Sequence, residues 1–386
     1  MIRDRRLLVV TESLGIGGTE SHLRRLLPRL SASGWDVAIF CLSTRGAHAD
    51  ELESKGLEVH STRKLSIANS LSRRNPVFLS RAAGNLFSFM RRWKPAIAHF
   101  YLPGPYMIGA PMAIFDRTPV KIMSRRSLSN YQQRWPTVAF FERKLHERMD
   151  ALIGNSRAVV GELLKEGAPE RKVRLIYNGI ELSERHADRG ETRRELGLDE
   201  QTLVGVMVAN LIRYKGHRDL IGGLAKMAGQ LNMPWRVLFV GRDEGLRPKL
   251  EDLARIGGIA DNIQFRGERS DVPRVLAAAD FGLLVSHEEG FSNVILESMA
   301  AALPMIVTDV GGNPDAVENE KTGLVIPAHD PDAIGEAVLQ LARDPELRNR
   351  FGAAGRNRVS QKFSMDRCAK AHAELYEELL AKAEHG

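Results

Sequence analysis

The sequence predicts an α/β fold made of two Rossmann-like, doubly wound parallel sheets. Short apolar runs rich in β-branched residues alternate with amphipathic stretches of helix length along all 386 residues. Because parallel strands are buried on both faces, continuous apolar runs separated by helices are typical of such sheets. The chain is also too long for one ordinary core, which indicates two domains.

The candidate strands fall into two groups on either side of a polar stretch, ELSERHADRGETRRELGLDEQ, at residues 181–201. We expect an N-terminal domain at 1–180 and a C-terminal domain at 181–362. A helix at 363–386 would pack back on the N-terminal domain. The candidate strands are, in order, 7–10, 36–42, 57–60, 96–101, 120–125, 151–156, 173–179, 203–210, 235–241, 263–267, 281–286, 305–311 and 323–327. Ligands of such folds bind beyond the carboxyl ends of the strands, so we expect a site in the cleft where the domains face each other.

Charge is distributed unevenly along the chain. Residues 1–180 contain 29 Lys and Arg against 15 Asp and Glu, a net charge of +14, whereas the remaining residues carry a net charge of −7. A basic half attracts anionic partners such as phospholipid, a phosphorylated substrate or nucleic acid, and solubilising surface charge is the alternative.

The longest apolar runs are far shorter than the ~20 residues that span a bilayer, and the N-terminus does not read as a signal peptide. Cys41 and Cys368 lie outside any metal-binding pattern, so we expect two reduced, buried thiols. These features indicate a cytoplasmic protein.

A glycine-rich segment, TESLGIGGT at 11–19, follows the first candidate strand. Gly17 and Gly18 allow the backbone to approach a ligand at a helix N-terminus. Glu20 stands where a dinucleotide fingerprint has its third glycine, which disfavours NAD. A tight strand-to-helix turn without a ligand is the alternative. No P-loop sequence GK[ST] occurs in the chain, which excludes a P-loop ATPase.

Two carboxylates lie eight positions apart in HEEGFSNVILESMAAALP, residues 287–304. Glu289 lies in a loop at the carboxyl end of a strand, and Glu297 lies about one turn into the following helix. A carboxylate there can accept two hydrogen bonds from a vicinal diol such as a ribose. Acidic residues that merely complement the helix dipole are the alternative, which leaves Gly290 and Phe291 unexplained.

A cationic loop, ANLIRYKGHRDL at 209–220, ends the first strand of the second half. Arg213 and Lys215 precede a helix, where cations and helix N–H groups can jointly hold a diphosphate. The pattern alone fits a solvated loop equally well. Its combination with residues 287–304 favours a binding site.

The spacing E-G-F-x-x-x-x-x-E at 289–297 resembles the EX7E motif of the family 4 retaining glycosyltransferases, which have the GT-B fold. The resemblance covers nearly the whole chain, because further motifs occur in the family's order. These are GIGGTE, NSRAV (155–159), IYNGIE (176–181), KGH, VGRDEG (240–245), FRGERSDV (265–272), TDVGGNPDAV (308–317) and TGLVIPAHD (322–330). The resemblance implies two Rossmann-like domains facing a central cleft, and a nucleoside-diphosphate sugar as donor.

The resemblance also implies roles for individual residues. Arg213 and Lys215 would hold the donor diphosphate, Glu289 would contact the transferred sugar, and Glu297 would bind the ribose. The other residues implied in the donor pocket are Gly17, Gly18, Arg242, Gly267, Gly290, Phe291, Ser292, Asn293 and Val294.

The sequence departs from the family pattern at two places. Residues 209–211 read A-N-L where members commonly have G-R-L, so we assign the role of the missing arginine to Arg213. Many members carry H-x-H after the fourth strand, whereas this chain has H-F-Y. Either His99 or Tyr101 would then contact the sugar, and a structural role for His99 is the alternative.

We expect neither a cofactor nor an essential metal. Asp330-Pro331-Asp332 is the one D-x-D sequence, and it reads as a helix cap. Arg213, Lys215 and a helix N-terminus would instead stabilise the charge on the leaving phosphate. No second carboxylate is identifiable as a covalent nucleophile, which favours front-face attack.

The acceptor is less constrained by the sequence. Arg125 and Arg126 end the fifth candidate strand and indicate an anionic acceptor. Residues 81–94, RAAGNLFSFMRRWK, predict either a helix at an anionic membrane interface or an ordinary helix packed on its own sheet.

We therefore predict transfer of a hexose or N-acetylhexosamine from a UDP-sugar, or less favourably a GDP-sugar, to a lipid-linked or saccharide acceptor. The expected setting is polysaccharide, lipopolysaccharide or glycolipid synthesis at the inner face of the cell membrane. The alternatives are a nucleotide-sugar epimerase of the same fold and a non-catalytic protein that binds anionic partners. The sequence lacks the interleaved aromatic and basic residues that would indicate nucleic acid.

Overall fold

The computed structural model describes residues 5–63, 76–129, 132, 135–182 and 188–385. The chain separates into two compact units, one formed by Met1–Glu181 with Met365–Gly386 and the other by Leu182–Ser364. Residues 183–187, within the predicted boundary stretch, lie outside the described residues.

All thirteen predicted strands form, seven in the first unit and six in the second. They are β1 (Arg6–Thr11), β2 (Asp36–Thr44), β3 (Glu58–Arg63), β4 (Ile97–Tyr101), β5 (Val120–Arg125), β6 (Ala151–Gly154), β7 (Val173–Leu175), β8 (Leu203–Val208), β9 (Trp235–Val240), β10 (Ile263–Gly267), β11 (Phe281–Leu284), β12 (Met305–Thr308) and β13 (Gly323–Ile326). The strand orders are β3-β2-β1-β4-β5-β6-β7 and β10-β9-β8-β11-β12-β13, and every pairing is parallel. The predicted fold class is confirmed.

Helices connect the strands in both units. They are α1 (Gly18–Ala32), α2 (Ala49–Ser54), α3 (Pro76–Trp93), α4 (Pro103–Asp116), α5 (Pro136–His146), α6 (Arg157–Lys165), α7 (Arg189–Glu195), α8 (His217–Met227), α9 (Arg247–Ile256), α10 (Val272–Ala278), α11 (Asn293–Ala300), α12 (Asn313–Ala316), α13 (Pro331–Arg343), α14 (Pro345–Lys362) and α15 (Met365–His385). None of them, within the described part of the chain, is long and apolar enough to cross a membrane.

The first sheet is buried on both faces. Leu7 and Val9 of β1 belong to one core cluster, and Leu8 and Val10 belong to a second cluster on the opposite face. Successive side chains of a strand point to opposite faces, so a strand buried on both sides must be apolar throughout. This requirement explains why LLVV is a continuous apolar run.

Helix α15 packs in the first unit although it ends the chain. The ring of Tyr376 meets Trp35 edge-on with centroids 5.2 Å apart. Glu377 accepts a hydrogen bond from Arg5 at 2.8 Å, and Asp366 accepts one from Arg29 at 2.7 Å. The C-terminal helix therefore completes the core on the face of the sheet that α1 also covers.

Residues 81–94 were predicted either to lie at a membrane interface or to pack on their own sheet, and the side chains of α3 distinguish the two. Leu86, Phe89 and Met90 are buried in the core of the first unit, and Phe89 stacks on Trp93 with ring centroids 5.9 Å apart. The apolar face of α3 therefore packs on its own sheet. The thiols of Cys41 and Cys368 are free and buried, as predicted.

The second sheet determines where a ligand site can form in that unit. Strands β8 and β11 are neighbours in the sheet, and the chain continues from β8 to β9 on one side and from β11 to β12 on the other. The loops after β8 and β11 consequently emerge side by side at the carboxyl edge, the usual position for ligands in open parallel sheets.

Candidate functional site

Gly216 brings the loop after β8 against the end of β11. Its φ is 78°, and a Cβ there would lie 1.9 Å from the carbonyl oxygen of Val285, so only glycine fits. The preceding residues Arg213–Lys215 form a 3-10 turn, and α8 begins directly after Gly216. The N–H of His287 donates to the carbonyl oxygen of Tyr214 at 2.7 Å. The backbones of the two loops are thus fixed to each other.

Lys215 and Glu289 form an ion pair between these loops. The Nζ of Lys215 contacts Oε1 of Glu289, and the hydroxyl of Ser286 donates to the same oxygen at 2.9 Å. Only 17% of the Lys215 side chain and 11% of the Glu289 side chain are exposed. The structure thus brings together two predicted site residues and adds Ser286, which the sequence analysis missed because a lone serine carries no pattern.

The loop after β12 supports the loop that carries Glu289. Gly311 has a φ of 54°, and a Cβ there would lie 1.6 Å from the carbonyl oxygen of Glu289. The hydroxyl of Thr308 donates to the carbonyl oxygen of Ser286 at 2.5 Å, and the Asn313 amide donates to the carbonyl oxygen of Thr308 at 3.1 Å. The TDVGGN segment (308–313) therefore supports the Glu289 loop through contacts with the loop backbone. The two glycines of this segment are the sequence feature that could have predicted such a close approach.

Helix α11 begins immediately after the Glu289 loop. Phe291 is buried, and its ring lies 5.6 Å from that of Phe363, so this side chain anchors the loop. The N-cap residue Ser292 makes no side-chain capping hydrogen bond. Glu297 is half-buried in the second turn of the helix. Since helix starts favour anions, the geometry suits a phosphate or another negatively charged group.

Two predicted donor residues lie at neighbouring strand ends. Arg242 is exposed, pairs with Glu244 at 2.9 Å, and donates its backbone N–H to the Asn210 side chain at 3.1 Å. Asn210 thus joins two loops at the position where the family commonly has arginine. Gly267 has a φ of 65° with open space around its Cβ position. Arg213 is exposed and lines a cavity of about 830 Å³.

His217 is the first residue of α8 and lies two positions after Lys215, and its ring is buried. Burial, followed by the nearby charge of Lys215, lowers the pKa of His217 to about 4. Its ring meets Phe239 edge-on with centroids 5.1 Å apart. His217 is therefore a neutral core residue near neutral pH, and Lys215 and Arg213 supply the positive charge of this loop.

The D-x-D sequence is a helix cap, as predicted. The Oδ1 of Asp330 accepts hydrogen bonds from the N–H groups of Asp332 and Ala333, both at 3.0 Å. Asp332 instead pairs with Lys226 at 2.6 Å. The two carboxylates therefore have separate structural partners.

His99 and Tyr101 lie in the interior of the first unit. The Nδ1 of His99 is 2.8 Å from the Tyr376 hydroxyl, and its Nε2 is 2.7 Å from the Ser124 hydroxyl. Burial, and then the neighbouring His372, lower the pKa of His99 well below its usual value. Burial also raises the pKa of the Tyr101 phenol. These contacts favour the structural alternative for His99.

Arg125 is paired with carboxylates inside the first unit. It donates to Glu142 at 2.5 Å and contacts Glu166. Burial would raise the pKa of Glu166, but hydrogen bonds from His146 and Arg125 hold it at about 2. An acceptor would have to displace these carboxylates to reach Arg125. Arg126, the other predicted acceptor residue, is half-buried, and burial lowers its pKa.

The glycine-rich segment of the first unit forms the start of α1. Gly17 is the N-cap of that helix with extended backbone, and a Cβ there would lie 2.4 Å from the Glu20 carboxylate. Burial raises the pKa of Glu20. Gly17 and Gly18 thus lie where the loop after β1 enters α1, and a ligand contact there stays a prediction.

Family models match both halves of the chain. Residues 16–184 match the model described as Glycosyltransferase Family 4, and residues 188–358 match that described as Glycosyl transferases group 1. Together the two matches cover nearly the whole sequence.

Individual relatives agree with this result. The chain is 27% identical over 391 residues to a D-inositol 3-phosphate glycosyltransferase of Corynebacterium jeikeium, covering 94% of this chain and 92% of the relative. It is 26% identical over 243 residues to the N-acetyl-alpha-D-glucosaminyl L-malate synthase of Bacillus anthracis, covering 62% of each chain.

Solved structures share the fold. The Anabaena protein Alr3699/HepE in complex with UDP-glucose superposes with a TM-score of 0.82 at 19% identity, covering 97% of this chain and 99% of that one. WaaG, a glycosyltransferase involved in lipopolysaccharide biosynthesis, has a TM-score of 0.74 at 20% identity, covering 95% of this chain and 98% of that one.

Proposed function

The chain belongs to the family 4 glycosyltransferases of the GT-B fold, and from this membership we propose that it transfers a hexose or N-acetylhexosamine from a UDP-sugar with retention of configuration. The observation that carries the proposal is the contact between Lys215 and Glu289 beside the start of α11. This arrangement places a cation, a carboxylate and helix N–H groups at one sheet edge. A diphosphate joined to a polyhydroxylated sugar needs all three.

Two comparisons support UDP as the nucleotide and a hexose-type sugar. The Anabaena protein, which shares the fold, has been solved with UDP-glucose. The Bacillus anthracis relative is named for an N-acetylglucosaminyl product. A GDP-sugar is the less favoured donor.

In the proposed mechanism, positive charge develops on the sugar while negative charge accumulates on the departing diphosphate. Lys215, Arg213 and the N-terminus of α11 stabilise that negative charge. Glu289 accepts hydrogen bonds from the sugar hydroxyls, and Glu297 accepts them from the ribose. The bond between the anomeric carbon and the phosphate oxygen breaks as the acceptor hydroxyl attacks from the same face. The proton of that hydroxyl passes to the leaving phosphate oxygen.

The proposed acceptor is a lipid-linked or saccharide molecule of the cell envelope. The net charge of +14 over residues 1–180 supports an anionic acceptor or surface. Helix α5 adds a second feature, because Phe140 and Phe141 are 58% and 61% exposed beside the exposed cations Arg143 and Lys144. Exposed aromatic rings among cations are typical of a helix that contacts an anionic membrane. We therefore place peripheral membrane contact on α5 rather than α3.

A panel of UDP-, GDP- and ADP-sugars tests the donor proposal. We expect one or more UDP-sugars to bind and to be hydrolysed slowly without acceptor, with the released sugar retaining its anomeric configuration by NMR. A sugar nucleotide that returns with an inverted ring carbon would indicate the epimerase instead. Failure of every nucleotide sugar to bind would contradict the proposal.

A further inference from the structure

Three side chains of the second unit converge beside the ion pair of Lys215 and Glu289. Asp219 lies in the first turn of α8, His287 follows β11, and His329 precedes α13. The Oδ2 of Asp219 is 2.7 Å from Nε2 of His287 and 3.9 Å from Nδ1 of His329. The two imidazole rings lie against each other with centroids 3.7 Å apart. We propose that these three residues bind Zn²⁺ or a similar late first-row transition-metal ion.

The spacing of the ligand atoms suits a tetrahedral ion. Zn²⁺ binds imidazole nitrogen and carboxylate oxygen at about 2.0–2.2 Å, so neighbouring ligand atoms lie roughly 3.3–3.6 Å apart. The two distances from Asp219, 2.7 and 3.9 Å, lie on either side of that spacing. The ligand atoms of all three residues lie within 4.8 Å of one another. Side-chain rotations are therefore enough to complete the set.

The backbone already holds each residue in place. The N–H of His287 donates to the carbonyl oxygen of Tyr214 at 2.7 Å. Asp219 lies three residues after Gly216, whose position is fixed by its approach to β11. His329 has a φ of 60°, a left-handed conformation that is uncommon for residues other than glycine. Such backbone strain persists where the position of a side chain is constrained by function or by its neighbours.

An ordinary ion pair explains fewer of these observations. A pairing of His287 with Asp219 accounts for two residues but not for His329, whose side chain is 66% exposed and yet lies against the first imidazole. Two charged imidazoles in contact would repel each other, whereas neutral imidazoles are the commonest metal ligands. Imidazole with one carboxylate is a set that suits zinc, copper or nickel, while magnesium prefers oxygen ligands.

The site adjoins the cavity of about 830 Å³ that Arg213 also lines. A fourth coordination position facing this cavity has room for water or for an oxygen atom of a ligand. His287 lies two residues before Glu289, and Tyr214 lies next to Lys215. A bound ion would therefore stabilise the two loops that hold the ion pair, without taking part in the transfer reaction.

Calorimetric titration of tag-free, metal-stripped protein with Zn²⁺ tests the proposal. We expect one strong site per chain and a higher melting temperature with zinc. His329→Asn removes the imidazole but keeps a residue that tolerates left-handed backbone, so it should fold and lose at least tenfold in affinity. Asp219→Asn should show a similar loss.

His60→Ala is the matched control, because His60 is also a partly exposed histidine paired with a carboxylate, Glu58. Among the described residues it belongs to no group of three ligands. Unchanged binding in this variant, together with loss in the other two, supports the site. Absence of zinc binding, equal affinity in the parent and His329→Asn, or equal binding of Mg²⁺ and Zn²⁺ would overturn it.

Discussion

The Nζ of Lys215 contacts the carboxylate of Glu289 although the two residues lie 74 positions apart in the chain. The contact depends on two glycines, since Gly216 and Gly311 let the neighbouring backbones approach β11 and Glu289. In the proposed mechanism, Glu289 holds the ammonium group in place before a donor binds. Because a diphosphate carries more negative charge than one carboxylate, it can draw the lysine toward itself while Glu289 turns to the sugar.

Replacement of Lys215 by alanine should lower kcat by roughly 10²–10³-fold, the usual cost of removing one group that stabilises the charge of the transition state. The measurement is a transfer or donor-hydrolysis assay with purified protein. Lys226→Ala is the control, because Lys226 is an exposed lysine of the same unit paired with Asp332. A loss of equal size in both variants would remove Lys215 from the reaction.

Replacement of Glu297 by alanine should weaken UDP binding. Loss of two hydrogen bonds at about 0.5–1.5 kcal/mol each corresponds to roughly 5- to 150-fold in Kd. Titration calorimetry with UDP measures the change, and Glu336→Ala, an exposed glutamate on α13, provides the comparison. Unchanged affinity of the Glu297 variant would show that this carboxylate does not contact the ribose.

The strands were predictable because a strand buried on both faces must be apolar throughout. The order of the strands and the contact between Lys215 and Glu289 were not predictable, because both depend on which loops the sheet places side by side. His99 shows a different limit of sequence analysis, since a local pattern there suggests a ligand contact. Its sequence context resembles a sugar-binding position, yet its partners, Tyr376 and Ser124, come from distant segments that no local pattern identifies.

Gly216→Ala should destabilise the protein by several kcal/mol more than Gly245→Ala. Both glycines have left-handed backbone, with φ of 78° and 89°. The strain of that conformation costs roughly 1–2 kcal/mol for alanine at either position. A Cβ at Gly216 would in addition overlap the Val285 carbonyl oxygen, whereas Gly245 has open space. Urea unfolding of the two variants measures the difference, and equal stabilities would contradict the role given to Gly216.

Sugar transfer should continue in excess EDTA. In the proposed mechanism Arg213 and Lys215 neutralise the diphosphate, so we expect the reaction to need no divalent ion. Removal of zinc from the site of Asp219, His287 and His329 is expected to lower the melting temperature but not to abolish transfer. Complete loss of activity that Mg²⁺ or Mn²⁺ restores would contradict the assignment of the phosphate to Arg213 and Lys215.

Membrane contact through α5 predicts tighter binding to anionic than to neutral vesicles. Rising salt should weaken this binding, as the Debye length falls to about 3 Å at 1 M. Phe140→Ser with Phe141→Ser should reduce vesicle affinity and leave the melting temperature nearly unchanged, because both rings are exposed. Phe89→Ser provides the contrast, since loss of that buried ring should cost about 3–5 kcal/mol of unfolding free energy.

Replacing Arg91, Arg92 and Lys94 by Gln tests whether charge at the end of α3 contributes about 1 kcal/mol per residue to vesicle binding. Equal affinity for both vesicle types, or for the α5 variant and the parent, would leave a non-membrane acceptor as the better hypothesis.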